Sequence, residues 1–118
     1  ESLPVAASDH LGLAAPGGRR NHLSRSFSPP SLYHFATDIA ARRLISDTGA
    51  RDQNGRVFVA DFGTAGTDAL ANWTCLAHPK SSWAKEAHIH PFLSPDGTHG
   101  FFNSDESGVL QAYMLRNL

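Results

Sequence analysis

The sequence is poor in features that would place it in several common classes. Its 118 residues include one cysteine, Cys75, so neither an intrachain disulfide nor a thiolate zinc cluster is predicted. No apolar run approaches the roughly 20 residues of a membrane-spanning helix, and we predict no membrane partner. The formal net charge is only −1, which excludes the strongly basic surface typical of nucleic-acid-binding proteins. We therefore expect a soluble globular chain.

Histidine is the residue type that stands out. The chain has seven histidines, and neutral imidazole is a common metal ligand. His88 and His90 are one residue apart, directly before a predicted strand. In an extended backbone, side chains at positions i and i+2 lie on the same face. The pair is therefore predicted to form half of a transition-metal site. The alternative is that both rings only pack or form hydrogen bonds at the start of the strand.

The chain is predicted to be all-β. Bulky or alternating segments between turn signals indicate strands, which fall at residues 32–36, 42–46, 56–62, 73–77, 90–93, 99–103 and 109–115. A helix over residues 32–44 is the alternative, because Ala-Ala-Arg-Arg has good helix propensity. Residues 1–31 are rich in Gly, Pro, Ser and Ala and are predicted to be loop, apart from one candidate strand near residues 3–6.

A pair of aspartates appears twice with the same spacing. Asp38 and Asp47 are nine positions apart, as are Asp96 and Asp105, and the two pairs are 58 residues apart. Each pair encloses one predicted short strand within a run of strands and polar turns. Repeats of about 40–50 residues with four short strands are typical of β-propeller blades. The sequence therefore predicts two consecutive propeller blades.

The repeat also predicts the organisation of the chain. Residues 1–31 are interpreted as a loop-rich lead-in, a remnant of a preceding blade; residues 32–80 as one blade; and residues 81–118 as a final, incomplete blade. Repeat units need neighbours to bury their faces. We therefore expect the chain to be the C-terminal fragment of a larger propeller, with the remaining blades of the same protein as its partners.

Several motifs resemble one family. They are residues 34–38 (His-Phe-Ala-Thr-Asp), residues 44–47 (Leu-Ile-Ser-Asp), Ser82-Trp83, residues 88–97 (His-Ile-His-Pro-Phe-Leu-Ser-Pro-Asp-Gly) and residues 102–105 (Phe-Asn-Ser-Asp) with Gly108. In order and rough spacing, this part of the chain resembles the last two blades of bacterial oligogalacturonate lyases. The resemblance implies a seven-bladed propeller that cleaves unsaturated galacturonides by β-elimination in the bacterial cytoplasm or periplasm. It also implies an acidic oligosaccharide substrate.

The resemblance implies a ligand set for a divalent metal, usually Mn²⁺. Three histidines and a glutamine hold the metal in the family; the histidines match His34, His88 and His90. The glutamine position is Lys85 here, and an arginine that binds the substrate carboxylate in the family is replaced by Ala84. A protonated lysine cannot ligate a cation, and Glu86 is the nearby candidate to replace it. The family's base lies about 45 residues before His34, hence before Glu1, so no catalytic residue is expected in this chain.

These departures leave other functions open. A non-catalytic propeller module for protein interaction would retain the fold with vestigial histidines. A related lyase for a different acidic polysaccharide would retain the metal and change the residues around it. His78 and His99 are predicted to lie outside the site, in a loop and on an outer strand.

Overall fold

The computed structural model describes residues 12–14, 16–18, 20–22, 31–62 and 70–118. Their regular secondary structure consists of antiparallel strands with no helix, which confirms the all-β class. The strands in chain order are β1 (Gly12–Ala14), β2 (Arg20–His22), β3 (Phe35–Thr37), β4 (Arg43–Asp47), β5 (Val57–Phe62), β6 (Leu70–Ala77), β7 (Phe92–Leu93), β8 (Gly100–Ser104) and β9 (Gln111–Leu115). In this part of the chain no helix is long or apolar enough to cross a membrane.

The lead-in differs from the loop that the sequence predicted. Strands β1 and β2 pair as an antiparallel hairpin, with Gly12 opposite His22. Gly17 in the connection has φ +67°, a conformation that glycine adopts at little cost. Three-residue strands are too short to show an alternating pattern, so composition alone indicated loop. The candidate strand at residues 3–6 lies outside the described residues.

Strands β3, β4, β5 and β6 form a four-stranded meander, each pairing with the next in the chain. The helical alternative for residues 32–44 is wrong, because this segment contains β3 and the beginning of β4. Strand β3 starts three residues later than predicted. The backbone N–H groups of Tyr33 and His34 donate to the carbonyl and side chain of Asp47, so regular pairing begins only at Phe35 opposite Ser46.

Strands β7, β8 and β9 form a second, three-stranded meander. The first aspartate of each predicted repeat closes the turn between the first two strands of its sheet. The Asp38 carboxylate accepts N–H bonds from Arg42 and Arg43 at 2.8 and 2.9 Å. The Asp96 carboxylate accepts the N–H of Thr98 at 3.1 Å. The shared spacing therefore corresponds to the same hairpin role in both sheets.

The hydrophobic core lies between the two sheets. Its buried members come from both meanders and from the segment that joins them: Ile45, Val57, Ile89, Leu93 and Phe102. Fully burying side chains of this size contributes roughly 1.5–3 kcal/mol each. Strand β7 packs against β3 and β4, so residues 81–91 are held at the junction of the two sheets.

Candidate metal centre

Three histidines converge at this junction. His34 directly precedes β3, whereas His88 and His90 lie just before β7. One potential ligand nitrogen from each ring lies within 4.8 Å of the other two. The ring centroids of His34 and His90 are 3.8 Å apart, and that of His88 is 5.7 and 5.9 Å from them. The structure thus brings together the three predicted ligands; metal binding itself stays a prediction.

The spacing is close to that of a metal site. In a tetrahedral site, ligands at 2.0–2.2 Å from one cation lie about 3.3–3.6 Å apart. The three ring nitrogens lie within 4.8 Å of one another, so the rings would have to move up to about 1 Å closer to bind one cation. All three donors are imidazole nitrogens, which suit Zn²⁺, Fe²⁺, Ni²⁺ and Cu²⁺, whereas Mn²⁺, the metal that the resemblance implies, prefers oxygen ligands. The residues present therefore fit a transition metal.

The local backbone produces this convergence in a way that the sequence did not predict. Residues 88–91 are not extended strand, and β7 begins only at Phe92. His90 has φ +44°, in the left-handed region that non-glycine residues rarely adopt. Between the two histidines, Ile89 is completely buried, and its carbonyl accepts the N–H of Asn103 at 2.8 Å. The predicted extended backbone is therefore wrong at His90, although the His88 and His90 rings meet in one cluster while Ile89 enters the core.

A buried carboxylate contacts His34. Oδ2 of Asp47 is 2.9 Å from Nδ1 of the ring, and the Asp47 side chain is 0% exposed. The other oxygen, Oδ1, accepts the N–H of Gly49 at 3.1 Å and the N–H of His34 at 3.4 Å. The carboxylate is thus fixed by the turn after β4, and the ring is fixed against it.

Aromatic rings form one wall of the centre. The Trp83 centroid is 5.1 Å from that of His88 and 6.1 Å from that of His34, and its plane is within 17° of the His34 plane. Its Nε1–H donates to the Asn54 carbonyl at 2.6 Å. Tyr33 contacts the His34 ring edge-on at 4.3 Å and remains 58% exposed. The wall limits water access to the His34 and His88 rings from this side.

The electrostatics of the cluster favour neutral imidazole at one position. Loss of water on the packed side of the ring lowers the pKa of His90, and the nearby His34 and His88 rings lower it further, while the Asp47 carboxylate opposes the shift. The side chain is exposed overall, so the effect arises where it faces the other rings. Only a neutral imidazole binds a metal. Because a lower pKa keeps the His90 ring neutral, protons compete less with a metal ion for its nitrogen.

Other predicted candidates lie outside the cluster. Lys85 is exposed with φ +50°, in a turn where the N–H of Ala87 donates to the Ala84 carbonyl at 2.9 Å. Glu86 is not in the one convergent group that the described His, Cys, Asp and Glu side chains form. His78 and His99 were predicted to lie outside the site: His78 contacts the Gln53 carbonyl at 2.7 Å, and His99 contacts Thr98 Oγ1 at 2.9 Å. His99 directly precedes β8 and does not lie on an outer strand as predicted.

The sequence contained a signal for the contact between Asp47 and His34, although the nine-residue spacing of the aspartates did not reveal it. Phe35 pairs with Ser46 in the β3–β4 hairpin, so the preceding residue, His34, must face the following residue, Asp47. A predicted register would therefore have placed a carboxylate opposite a candidate ligand. Trp83 belongs to the Ser82-Trp83 motif of the resemblance, but no strand register places it beside the histidines, because its approach depends on an irregular loop.

The fold and site define an all-β protein with a three-histidine candidate metal centre between two antiparallel meanders. No protein-family model and no curated protein matches the sequence. The resemblance to oligogalacturonate lyases therefore rests on the motifs alone.

Proposed function

We propose that the chain is the C-terminal part of a metal-dependent, polysaccharide-lyase-like propeller that cleaves oligogalacturonides or related uronic-acid oligosaccharides by β-elimination. The observation that carries the proposal is the convergence of His34 with His88 and His90 from two consecutive meanders. A four-stranded sheet followed by a three-stranded one, with β3 packed near β7, is compatible with two adjacent blades. In such an arrangement the first strand of each blade borders the central channel.

The histidines are proposed to hold one divalent cation, which the resemblance implies to be Mn²⁺. Three protein ligands leave coordination positions for water or a substrate carboxylate. Lys85, at the glutamine position of the family, is exposed, and its ammonium group cannot serve as a fourth ligand while protonated. Its positive charge instead suits an approach by an anionic uronate chain.

The proposed division of labour follows from β-elimination. A bound cation would supply positive charge to the uronate carboxylate and so stabilise the negative charge that develops when the C5 proton leaves. The three histidines use their free ring nitrogens to hold the cation, so none of them is available as the proton acceptor. The resemblance places that base in a preceding blade. The chain described here then contributes cation binding and substrate orientation rather than proton removal.

Metal binding is the first test. We expect isothermal titration of the chain with Mn²⁺ and with Zn²⁺ to show one site, and His90→Ala to abolish it. His99→Ala is the matched control, because His99 lies in the β7–β8 hairpin and has no contact with the cluster. Equal binding by His90→Ala and the unsubstituted chain would contradict the proposed centre.

Substrate binding is the second test. Trigalacturonate is expected to change the fluorescence of Trp83 when Mn²⁺ is present and not in its absence, whereas an uncharged galactose trisaccharide should have no effect. Trp83→Phe identifies the signal, since Trp73 is the other tryptophan. Metal binding without any response to trigalacturonate would retain the centre and reject the uronate substrate.

The alternative is a non-catalytic propeller module for protein interaction. It is favoured by the replacement of two family site positions, at Ala84 and Lys85, and by exposed aromatic side chains on the first strand of each sheet, Phe35 and Phe92. This alternative requires no cation. It becomes the better interpretation if neither Mn²⁺ nor Zn²⁺ binds.

A further inference from the structure

We infer that Asp47 is a positioning residue of the metal centre: it keeps the His34 proton on Nδ1 and thereby makes Nε2 the ligand atom. This inference deepens the proposed function and rests on it for its consequence on cation binding. Its first part, that Nδ1 of His34 carries the hydrogen, can be tested in the protein without metal.

The hydrogen-bond geometry carries the first step. His34 Nδ1 lies 2.9 Å from Asp47 Oδ2, and since an ionised carboxylate is only an acceptor, pairing with ionised Asp47 places the hydrogen on Nδ1. A protonated ring nitrogen has no lone pair for a metal. Of the two nitrogens of His34, Nε2 is therefore the one that can bind a cation. A carboxylate, a histidine and a metal in this order form a common arrangement that fixes the ring and increases its basicity.

The carboxylate is built to stay in place. The Asp47 side chain is fully buried, and its Oδ1 is held by the backbone N–H groups of Gly49 and His34. Only Oδ2 is directed at the ring. A buried negative charge is costly unless its oxygens are hydrogen-bonded or paired, and a cation bound to His34 would place a compensating positive charge nearby.

The second copy of the repeat shows that this contact is not required by the fold. Asp105 occupies the position equivalent to Asp47 in the repeat: it directly follows β8, whereas Asp47 is the last residue of β4. Its carboxylate accepts the N–H of Ser82 at 2.7 Å, together with the hydroxyl groups of Ser81 and Ser82. Backbone and hydroxyl donors therefore suffice to connect a strand end to the preceding segment. In the first copy, one oxygen is directed at an imidazole instead.

The first experiment measures the tautomer of His34 in the unsubstituted chain without metal. Long-range ¹H–¹⁵N correlation spectra at pH 7.5, assigned with His34→Gln, are expected to show a protonated Nδ1 and an unprotonated Nε2. An unpartnered histidine favours the opposite tautomer, so the result is informative. A proton on Nε2 would overturn the inference, and no variant of Asp47 is needed to obtain this result.

The second experiment compares cation affinity in Asp47→Asn with that in Asp38→Asn. Both aspartates are buried in the β3–β4 hairpin, but the Asp38 carboxylate accepts the backbone N–H groups of Arg42 and Arg43 and lies 3.8 Å from the Arg42 guanidinium, at the end of the hairpin away from His34. Loss of such a partner of a ligand typically weakens metal binding by about 10- to 100-fold. We expect this loss for Zn²⁺ with Asp47→Asn, and a change of less than about threefold with Asp38→Asn.

The possible outcomes separate the two proposals. If the unsubstituted chain binds Zn²⁺ and Asp47→Asn binds it equally well, the role of Asp47 is overturned and the three-histidine centre stands. If Asp38→Asn loses as much affinity as Asp47→Asn, the effect is general destabilisation, which also overturns the role. If the unsubstituted chain binds neither Mn²⁺ nor Zn²⁺, the proposed function fails and the ligand role fails with it. If Asp47→Asn does not fold, the tautomer measurement decides.

Discussion

The backbone of His90 offers a direct test of how the site is built. Its φ of +44° brings Cβ close to the following carbonyl oxygen, which costs roughly 1–2 kcal/mol for a residue other than glycine. Strain of this kind often persists at functional sites, where the surrounding structure imposes it. We expect that replacing His90 by glycine removes the strain, whereas replacing it by alanine retains it.

The comparison of His90→Gly with His90→Ala isolates the backbone term, because both variants lack the ring. Relief of the strain in the glycine variant is partly offset by the greater entropy of glycine in the unfolded chain, about 0.4–1 kcal/mol. The net expectation is that His90→Gly is more stable than His90→Ala by about 1 kcal/mol. For a domain of this size, that corresponds to about 4 °C in melting temperature.

The assay is urea unfolding followed by tryptophan fluorescence, with thermal melts by circular dichroism as an independent measurement. His99 provides the control, since it is not among the residues with positive φ. There the order should reverse, and His99→Gly should be less stable than His99→Ala by about 0.5–1 kcal/mol. A His90→Ala variant as stable as His90→Gly would refute the claim that the backbone of His90 is strained.

Two further predictions concern the supports of the site and of its hairpins. Gly55→Ala should lower the free energy of unfolding in urea by about 2–3 kcal/mol more than Gly108→Ala does. Both glycines have positive φ, so the backbone cost is similar in the two variants. A Cβ at Gly55 would lie 2.6 Å from Ile89 and 2.8 Å from Trp83, whereas a Cβ at Gly108 would meet open space. Equal losses would contradict the packing argument. Hydrogen bonds from Ser94 and Thr98 lower the pKa of Asp96 to about 2. Because this pKa is below that of an unfolded aspartate, about 3.9, the ionised carboxylate stabilises the fold above about pH 4, and the stabilisation is lost as the pH falls toward 2. The melting-temperature difference between the unsubstituted chain and Asp96→Asn should therefore shrink over this range; a constant difference down to pH 2 would contradict the assignment.

The strands of both meanders were predictable because the residue patterns and turn residues along the chain favour the same structure as the packing of the two sheets. The segment that forms β5 combines β-branched and aromatic residues and follows an Asp-Gln-Asn-Gly turn, in which Gln53, Asn54 and Gly55 all have positive φ. The hairpin turns closed by Asp38 and Asp96 were visible as equal spacings in the sequence. Each of these features depends on residues that are close in the chain.

The geometry of the site was less predictable because it depends on contacts that are distant in sequence. An alternating pattern suggested that His88 and His90 project from one extended strand, and nothing local to residues 88–91 signals a left-handed histidine. The neighbouring Ile89 is held by the N–H of Asn103 in β8 and by packing in the core, contacts that no local pattern predicts. The three histidines were nevertheless predicted to be neighbours, and the structure confirms that they are; that prediction came from the motif resemblance and not from a local pattern.

The position of Ile89 connects the stability of the chain to the geometry of its candidate centre. This side chain is completely buried between the two sheets, while the histidines on either side of it contribute to the cluster. Any movement that displaced His88 and His90 together would also withdraw Ile89 from the core, at a cost of roughly 1.5–3 kcal/mol. Since His34 is fixed to the first sheet through Asp47, the separation of the three ring nitrogens is set by how closely the sheets pack. The arrangement of the centre is therefore a property of the core, and variants that loosen the sheet junction should weaken cation binding even when all three histidines are present.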